Sequence, residues 1–481
     1  MKIGVISLGC SKNRVNSEQM MFLLQKAGHQ ITGETDGVDI VLLNTCGFID
    51  SAKAEALETI GELVAAKNEK RIGKIIVAGC YPERYRKNIL DRLPEVDAVV
   101  GTGSFDDIAE VVGMLAQDIG TQENRPTVSR DCGSEAAMTN FEYTGNMFRY
   151  PINHFGDINA PVSEAGRIIS TSPLWAYLKI AEGCDNRCAY CCIPDIRGRY
   201  RSRPLENIVK EARHLIGMGV CELIIVAQDV TRYGLDIYGE RRLAKLLVEL
   251  NKIKKLKWIR LHYLYPDDFD DELIDVIAKS DKIVKYLDIP IQHINNGILN
   301  KMNRRGTSKE IKKLFTKLRE RIDGVTLRTS LITGLPGEGE KEFNELYDFL
   351  KRAKIERAGV FAYSPEEGTP AALMERPPIE IAEKRAGKIM QLQSEIVQKW
   401  NESRVGSIVE VIPESFEASY IQGYSLARSY AESPDIDGYI YVRDAEDLQL
   451  GFWKVKITGV KDRELIGEWI AAPSSDGLWV P

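Results

Sequence analysis

Three times in the first third of the chain, a largely apolar run ends in a glycine turn that carries a cysteine, and a helical stretch follows. In chain order, the runs are Ile3–Leu8, Asp39–Asn44 and Lys74–Ala78, and the turns are Gly9–Cys10, Cys46–Gly47 and Gly79–Cys80. This alternation predicts a parallel α/β sheet, in which right-handed crossovers bring the carboxyl ends of the strands to one edge. We therefore expect the three cysteines to converge, with helices over about 17–26 and 51–67 and a third from Pro82.

Three thiolates beside glycines suit an iron–sulfur cluster that keeps one iron without a protein ligand. The alternative is that each cysteine is a small buried hydrophobe, as free cysteines often are. Repetition of the same position in three units favours the cluster. The chain holds nine cysteines, and neither a signal peptide nor eighteen consecutive apolar residues is evident. We therefore expect a cytoplasmic protein with no membrane span and no disulfide framework.

The 481 residues predict about three domains. Residues 1–120 form the N-terminal α/β domain, and 171–403 and 404–481 form two further domains. Residues 121–170 show little periodicity and are interpreted as a linker, in which Cys132 has no partner pattern.

A second cysteine pattern, C-x3-C-x2-C, follows the strand-like run Ala176–Ala181 and is formed by Cys184, Cys188 and Cys191. One loop with this spacing can hold three irons of a 4Fe–4S cluster and leave the fourth open. A zinc site is the alternative, but it normally needs four ligands in paired knuckles, and no second pair follows. Cys192 and Cys221 are predicted to be packing residues.

Five more strand-like runs with helical stretches between them follow, which predicts an open, partial (β/α)6 barrel. Polar residues at the carboxyl ends of such strands line the active face. The candidates are Gln228, Asp229, His262, Gln292, His293 and Arg328. The arginine-rich run Arg197–Arg203 is either a nucleic-acid patch or, as we favour, a solvated or ion-paired face. Gly334–Glu338 is interpreted as a tight turn at a strand end.

Strand-like segments from Arg404 onward alternate with Gly, Pro and Asp turns and predict a small antiparallel barrel, a fold that often binds nucleic acid. Residues 404–481 hold seven Lys and Arg against thirteen Asp and Glu, a net charge of −6 that equals that of the whole chain. An RNA-binding barrel should carry a basic face, whereas an acidic barrel favours a basic protein partner.

The C-x3-C-x2-C spacing, with Tyr190 directly before its last cysteine, is the signature of radical S-adenosylmethionine (SAM) enzymes. Together with the strand-end cysteines and the terminal barrel, it makes nearly the whole chain resemble the methylthiotransferases, whose terminal barrel is a TRAM domain related to the OB fold. The resemblance implies that Cys184, Cys188 and Cys191 hold the cluster that cleaves SAM, and that Cys10, Cys46 and Cys80 hold an auxiliary 4Fe–4S cluster. Residues expected to contact SAM are Tyr190, Gln228, Asp229, Gln292, His293 and Arg328.

Within this family, "SLGCSKNRVNSE", "YLKIAEGCDNRC", "VAQDVTRYG", "YLDIPIQH" and "ARSYAESPDIDG" are similar to the branch that modifies an aspartate of the twelfth protein of the small ribosomal subunit. The resemblance implies SAM as methyl donor and radical source, an external reductant, and an electron-donor protein such as flavodoxin or ferredoxin. The partner would be a basic ribosomal protein, free or assembled, with nucleic acid met only through the ribosome. Two alternatives stay open: a tRNA adenosine methylthiotransferase and a non-catalytic iron–sulfur redox module.

Overall fold

A computed structural model describes residues 1–119, 151–415, 423–443 and 451–471, and the chain divides into two compact units. Unit 1 consists of Met1–Ser170, Glu182–Asp185 and Cys191–Arg201. Unit 2 consists of Thr171–Ala181, Asn186–Tyr190 and Ser202–Pro481. No helix within the described ranges is long and apolar enough to cross a membrane.

Unit 1 is built on a six-stranded sheet in which all pairings are parallel, in the order β2-β1-β3-β4-β5-β6. The strands are β1 (Lys2–Ser7), β2 (Gln30–Thr32), β3 (Val38–Thr45), β4 (Ile72–Gly79), β5 (Ala98–Val100) and β6 (Ile152–His154). The parallel α/β prediction is confirmed, and the three predicted strands are β1, β3 and β4. The other three strands have three residues each, too few for a periodicity to be read from the sequence.

Helices cover both faces of this sheet. The helices of unit 1 are α1 (Ser11–Lys26), α2 (Asp50–Asn68), α3 (Cys80–Arg84), α4 (Ile89–Arg92), α5 (Ile108–Ile119) and α6 (Ile193–Arg197), with a 3₁₀ turn at Phe105–Asp107. Alternate residues of β3 point to opposite faces: Ile40 and Leu42 pack with α1 and α5, whereas Val41 and Leu43 pack with α2. Burial on both faces explains why these strands are apolar throughout.

Two details of unit 1 correct the sequence analysis. Helix α1 begins at Ser11, not near Ser17, because its polar first turns are buried. Asn13 donates to the carbonyl oxygen of Leu8 at 2.7 Å, so polar residues that suggest a loop are helical here. In addition, the predicted linker includes β6, which pairs with β5, and its residues from 151 to 170 belong to unit 1. The rest of that linker, with Cys132, lies outside the described residues.

Unit 2 contains a second parallel sheet of six strands, in the order β14-β13-β12-β11-β10-β7, which confirms the six predicted strands of the partial barrel. Its strands are β7 (Trp175–Lys179), β10 (Glu222–Val226), β11 (Trp258–Leu261), β12 (Ile283–Asp288), β13 (Thr326–Thr333) and β14 (Arg357–Ala362); the short β8 (Ala181–Glu182) and β9 (Arg201–Ser202) stand where the chain passes between the units. Its helices are α7 (Leu205–Gly217), α8 (Leu235–Tyr238), α9 (Leu243–Asn251), α10 (Asp271–Lys279), α11 (Asn296–Lys301), α12 (Ser308–Arg321), α13 (Glu340–Ala353) and α14 (Ile379–Arg404), with 3₁₀ turns at Pro266–Asp268 and Pro370–Leu373.

The end of unit 2 is a closed five-stranded barrel, in the order β15-β16-β17-β19-β18. Its strands are β15 (Ile408–Ser415), β16 (Tyr424–Ser429), β17 (Ile440–Arg443), β18 (Trp453–Lys461) and β19 (Glu464–Ala471). Four pairings are antiparallel as predicted, and the β17–β19 pairing is parallel. Closure leaves no unpaired sheet edge.

This barrel packs against the parallel sheet of the same unit. Trp258 at the start of β11 meets Phe452 edge-on, with ring centroids 4.8 Å apart. Three fully buried charges lie beside this contact: Glu222 accepts from Nε of Arg260 at 2.8 Å and from Arg428 of β16 at 2.5 Å. Removal of one partner from such a buried ion pair is costly, because the other charge is left uncompensated. The ion pairs of Glu222 thus join the barrel to the sheet.

Candidate functional site

The three cysteines of unit 1 follow the carboxyl ends of β1, β3 and β4, which are neighbouring strands. A Cβ atom added to Gly9 would lie 2.8 Å from Cβ of Cys46 and 3.6 Å from its Sγ. A Cβ atom added to Gly47 would lie 2.8 Å from the carbonyl oxygen of Cys80. The cysteine turns, Gly9–Cys10, Cys46–Gly47 and Gly79–Cys80, are thus in contact, and glycine is required for that approach.

Polar groups of unit 1 surround the cysteine turns. Asn13 donates to the carbonyl oxygens of Leu8 and of Thr45, at 2.7 and 3.2 Å, and so ties the first turn to the second. Arg197 of α6 is buried and donates to Sγ of Cys80 at 3.2 Å. These bonds hold the three turns at fixed positions relative to one another.

The three thiols differ in their acidity. Burial, reinforced by the neighbouring Cys80 and Cys10, raises the pKa of Cys46 to about 12. Burial also raises the pKa of Cys80, although Arg197 opposes it. Desolvation by the surrounding protein disfavours the thiolate of Cys10, although this residue is exposed. The positive charges of Lys12 and Arg197 and nearby backbone N–H groups outweigh desolvation and lower the pKa of Cys10. Cys10 is therefore the thiol readiest to ionise and bind metal.

The chemistry of the cysteine turns, three thiols with a buried arginine beside one of them, suits an iron–sulfur cluster. Within the described ranges, no three His, Cys, Asp or Glu side chains are grouped closely enough to hold one ion. The ligands of a cluster bind different irons, so their sulfur atoms stand farther apart than the ligands of one ion. The glycines leave room beside the thiols, and the hydrogen bond from Arg197 to a sulfur is of the kind that tunes such a cluster.

Gly9 provides a direct test of this close approach. We expect Gly9→Ala to remove the iron bound at the cysteine turns, because its new Cβ would displace Cys46. Gly28→Ala is the matched control: both glycines have a φ near +90°, but a Cβ atom on Gly28 would meet nothing within 4 Å. The control should lose only about 1–3 kcal/mol of stability to backbone strain. Iron per folded chain after anaerobic reconstitution is the measurement, and equal iron in both variants would contradict the prediction.

Two backbone hydrogen bonds anchor the C-x3-C-x2-C loop. Cys184, which belongs to unit 1, donates its N–H to the carbonyl oxygen of Gly198 at 3.1 Å. Cys188 belongs to unit 2, where the N–H of the next residue, Ala189, donates to the carbonyl oxygen of Met302 at 2.9 Å. Cys191 belongs to unit 1 and is partly exposed.

Tyr190 is buried in unit 2, and its hydroxyl accepts from Arg304 at 3.0 Å. The same guanidinium lies 3.8 Å from Sγ of Cys188 and donates to the carbonyl oxygen of Pro290 at 2.7 Å. Sequence reasoning missed Arg304, which lies in a loop after α11 and carries no motif. Its charge thus lies beside a cysteine of the signature loop.

Asp229 follows the end of β10 and is buried. It accepts from Asn186 of the signature loop at 2.8 Å and from Thr231. Burial raises its pKa, and these hydrogen bonds oppose the rise. Gln228 precedes it and is partly exposed. A hydrogen bond thus joins Asp229 to the signature loop.

His293 is fully buried, with its Nε2 3.2 Å from a carboxylate oxygen of Glu338. Glu338 also accepts from the N–H of Gly334 at 2.9 Å and from Arg385 at 2.9 Å, which confirms the tight turn predicted at Gly334–Glu338. Gln292 has a left-handed φ of 65° and extends the pairing of β12 with β13 through Leu331. These contacts brace the strand ends.

Arg328 lies on β13 and donates to Asp288 at 2.6 Å, and its Nε stands 3.9 Å from Asp437 of the terminal barrel. His262 follows β11, and its Nε2 lies 2.8 Å from Oγ of Ser433, also of the barrel. Both candidates therefore contact the segment between β16 and β17, a contact that residue spacing and periodicity did not predict.

The remaining cysteines are placed as follows. Cys192 is buried with Cys80, Ile196 and Phe48 in one apolar cluster of unit 1. Cys221 donates to the carbonyl oxygen of Leu174 at 3.1 Å, and burial raises its pKa to about 12. Both are packing residues, as expected.

The arginine-rich run after Cys192 is mostly not a surface patch. Arg197 and Arg203 are buried, and Arg203 pairs with Glu211 at 2.6 Å. Only Arg199 extends well into solvent. The ion-paired interpretation therefore holds for the buried members of the run.

Comparison with known proteins gives the class first. Residues 178–350 match the radical SAM superfamily, residues 2–101 match the uncharacterized protein family UPF0004, and residues 405–470 match the TRAM domain. The fold is similar to that of the radical SAM methyltransferase TsrM from Kitasatospora setae, with a TM-score of 0.53, 16% identity, and coverage of 80% of this chain and 78% of that one. The fold and the site thus define a radical SAM enzyme with a TRAM domain.

The curated relatives are more specific. The "Ribosomal protein uS12 methylthiotransferase RimO" of Acetivibrio thermocellus is 46% identical over 98% of both chains. The protein of the same name from Symbiobacterium thermophilum is 42% identical over 99% of this chain and 93% of that protein. That from Pelotomaculum thermopropionicum is 43% identical over 98% of this chain and 99% of that one. The chain belongs to the RimO family of ribosomal protein uS12 methylthiotransferases.

Proposed function

We propose that this protein inserts a methylthio group at the β-carbon of an aspartate in ribosomal protein uS12, by radical SAM chemistry. The observation that carries the proposal is the contact of the three cysteine turns at one edge of a parallel sheet, in a chain that also bears the C-x3-C-x2-C loop. A single radical SAM cluster would need only the latter. The second set of thiols provides a place for the sulfur that the reaction transfers.

The two sets of cysteines have separate roles in this proposal. Cys184, Cys188 and Cys191 would hold a cluster at the signature loop, and Cys10, Cys46 and Cys80 would hold an auxiliary cluster. When bound, these clusters supply the electron for SAM cleavage and the sulfur for transfer. The protein holds both sets in place: Asn13 braces the cysteine turns, and Asn186 ties the signature loop to Asp229.

The strand ends of unit 2 are the proposed site for SAM. Candidates for its contacts are those given by the sequence: Tyr190, Gln228, Asp229, Gln292, His293 and Arg328. The side chains of His293 and Arg328 already contact protein carboxylates. We therefore expect His293 and Arg328 to act mainly by positioning their neighbours. Asp229 is the candidate best suited to contact SAM directly, because a carboxylate can accept hydrogen bonds from ammonium or ribose hydroxyl groups.

The partners in this proposal are the basic protein uS12, free or within the small subunit, and an external electron donor of the flavodoxin or ferredoxin kind. The location would be cytoplasmic. Two acidic residues of the barrel, Glu414 and Glu432, pair with Arg428 and Arg404 inside unit 2. Both arginines belong to residues 404–481, so these two pairs leave the net charge of −6 unchanged. The acidic charge supports a basic protein partner, and membership of the uS12 family supports the same assignment.

Mass spectrometry tests the proposal. The reconstituted protein is reacted anaerobically with SAM and reductant, and purified uS12 and bulk tRNA are offered separately. We expect one methylthio group on an aspartate of uS12 and none on tRNA. A methylthio-adenosine in tRNA would favour the tRNA alternative. Failure to form 5′-deoxyadenosine under any condition would favour the non-catalytic redox module.

A further inference from the structure

Arg197 is a buried, charged residue of unit 1 to which the proposed function assigns no role. It ends α6, six residues after Cys191, and is 3% exposed. Its two terminal nitrogens donate to four acceptors, all in unit 1: Asn16 Oδ1 at 2.8 Å, Glu182 Oε1 at 3.1 Å, Asn13 Oδ1 at 2.9 Å and Cys80 Sγ at 3.2 Å. The guanidinium is therefore fixed in plane and direction by its surroundings.

Such a position is costly unless the charge is balanced. A guanidinium taken out of water needs anionic partners and saturated hydrogen bonds. The amide oxygens of Asn13 and Asn16 carry no charge, and Glu182 supplies one carboxylate contact. The remaining contact is a sulfur atom, which is a weak acceptor as a thiol and a strong one as a metal-bound thiolate. The arrangement is thus best matched to a negatively charged sulfur at Cys80.

We propose that Arg197 is a positioning residue that raises the reduction potential of the auxiliary cluster by donating to its Cys80 ligand. The inference rests on the proposed function, because it requires a cluster at the cysteine turns. A hydrogen bond to a ligand sulfur and a nearby positive charge both stabilise the reduced, more negative form of a cluster. Loss of Arg197 should therefore make the cluster harder to reduce.

The chain supplies this arginine through a tightly held segment. Gly198 follows it with a φ of 73°, and a Cβ atom there would lie 2.4 Å from the carbonyl oxygen of Ile158. The carbonyl oxygen of Gly198 accepts the N–H of Cys184 at 3.1 Å. The backbone that carries Arg197 is thus tied directly to a cysteine of the signature loop, while its side chain reaches the auxiliary cysteines.

The test uses the full chain with Cys184, Cys188 and Cys191 replaced by alanine, so that only the auxiliary cluster can assemble. In this background, Arg197→Gln, Arg197→Lys and the exposed control Arg199→Gln are compared after anaerobic reconstitution. Iron per chain and the midpoint potential, from a redox titration followed by electron paramagnetic resonance, are measured. We expect Arg197→Gln to shift the potential to a more negative value, Arg197→Lys to restore part of it, and Arg199→Gln to match the parent.

The outcomes separate the inference from the proposal beneath it. The inference would be overturned if the Arg197→Gln and Arg197→Lys variants both kept their iron and the parent's midpoint potential. Loss of iron in both variants would also overturn it, because Arg197 would then be a structural residue. If only the Arg197→Gln variant loses its iron, the midpoint potential of the Arg197→Lys variant decides. A potential more negative than that of the parent supports the inference, and an unchanged potential overturns it. Absence of iron from the parent background would instead overturn the auxiliary cluster itself.

Discussion

Replacing any one of Cys10, Cys46 and Cys80 by alanine is expected to abolish methylthio transfer while leaving the cleavage of SAM intact. The reason is spatial: these thiols belong to the cysteine turns of unit 1, whereas the C-x3-C-x2-C loop has its own three thiols. We expect transfer to uS12 to fall at least about 100-fold, which corresponds to about 2.7 kcal/mol or more of activation free energy. Formation of 5′-deoxyadenosine should stay within about threefold of the parent.

Cys221→Ala is the matched control for this series. Its thiol is also partly buried, but it donates to the carbonyl oxygen of Leu174 in unit 2 and belongs to neither set. Both reactions should survive in this variant. Loss of 5′-deoxyadenosine with transfer intact in the Cys10, Cys46 and Cys80 variants would refute the division of roles. Chromatography of the nucleoside product and mass spectrometry of uS12 measure the two reactions in one sample.

The second large effect concerns stability. We expect Glu222→Ala to destabilise unit 2 by about 3–5 kcal/mol, the usual cost of removing one partner of a buried ion pair. Glu222 is fully buried between Arg260 and Arg428. The alanine would leave the Arg260 guanidinium with the backbone carbonyls of Ser429 and Tyr430 as acceptors and with the ring of Tyr286, but without this carboxylate. Urea unfolding followed by tryptophan fluorescence measures the change in the free energy of unfolding, because Trp258 lies in the packing between the sheet and the barrel.

A surface ion pair supplies the control. Glu249→Ala removes the carboxylate that pairs with Lys252 on the outside of α9, at 2.7 Å, and should cost less than about 1 kcal/mol. Similar losses of stability in the two variants would contradict the prediction.

The dependence of stability on pH gives an independent check. Burial disfavours the Glu222 carboxylate, but Arg428 and Arg260 outweigh it and lower its pKa. Its stabilisation is therefore present above its ordinary pKa and lost as the pH falls through the lowered value, a loss that Glu222→Ala should not show.

Prediction from the sequence succeeded where a signal is local. Cys184, Cys188 and Cys191 lie within eight residues, so their spacing alone defines a candidate ligand set. The cysteine turns were predictable because parallel strands deliver their carboxyl ends to one edge, whatever the length of the connections. The three longest strands of unit 1 and all six strands of the sheet in unit 2 were recognised from their apolar runs.

Prediction failed where a polar residue is buried by distant neighbours. Asn13 and Arg197 suggest a loop and a surface when their sequence neighbours alone are considered. In the structure, both are buried against the cysteine turns and against each other, joined by a 2.9 Å hydrogen bond between residues 184 positions apart.

The sequence by itself determined the two parallel sheets, the terminal barrel, the two sets of three cysteines and the family. These features depend on spacing, periodicity and residue type, which are properties of the chain in order. Only the tertiary structure decided that Arg197 donates to Cys80, that Arg304 faces Cys188, and that Glu222 joins the barrel to the sheet. Such choices depend on which buried charges and hydrogen-bonding groups find partners, and burial brings those partners together from remote parts of the chain.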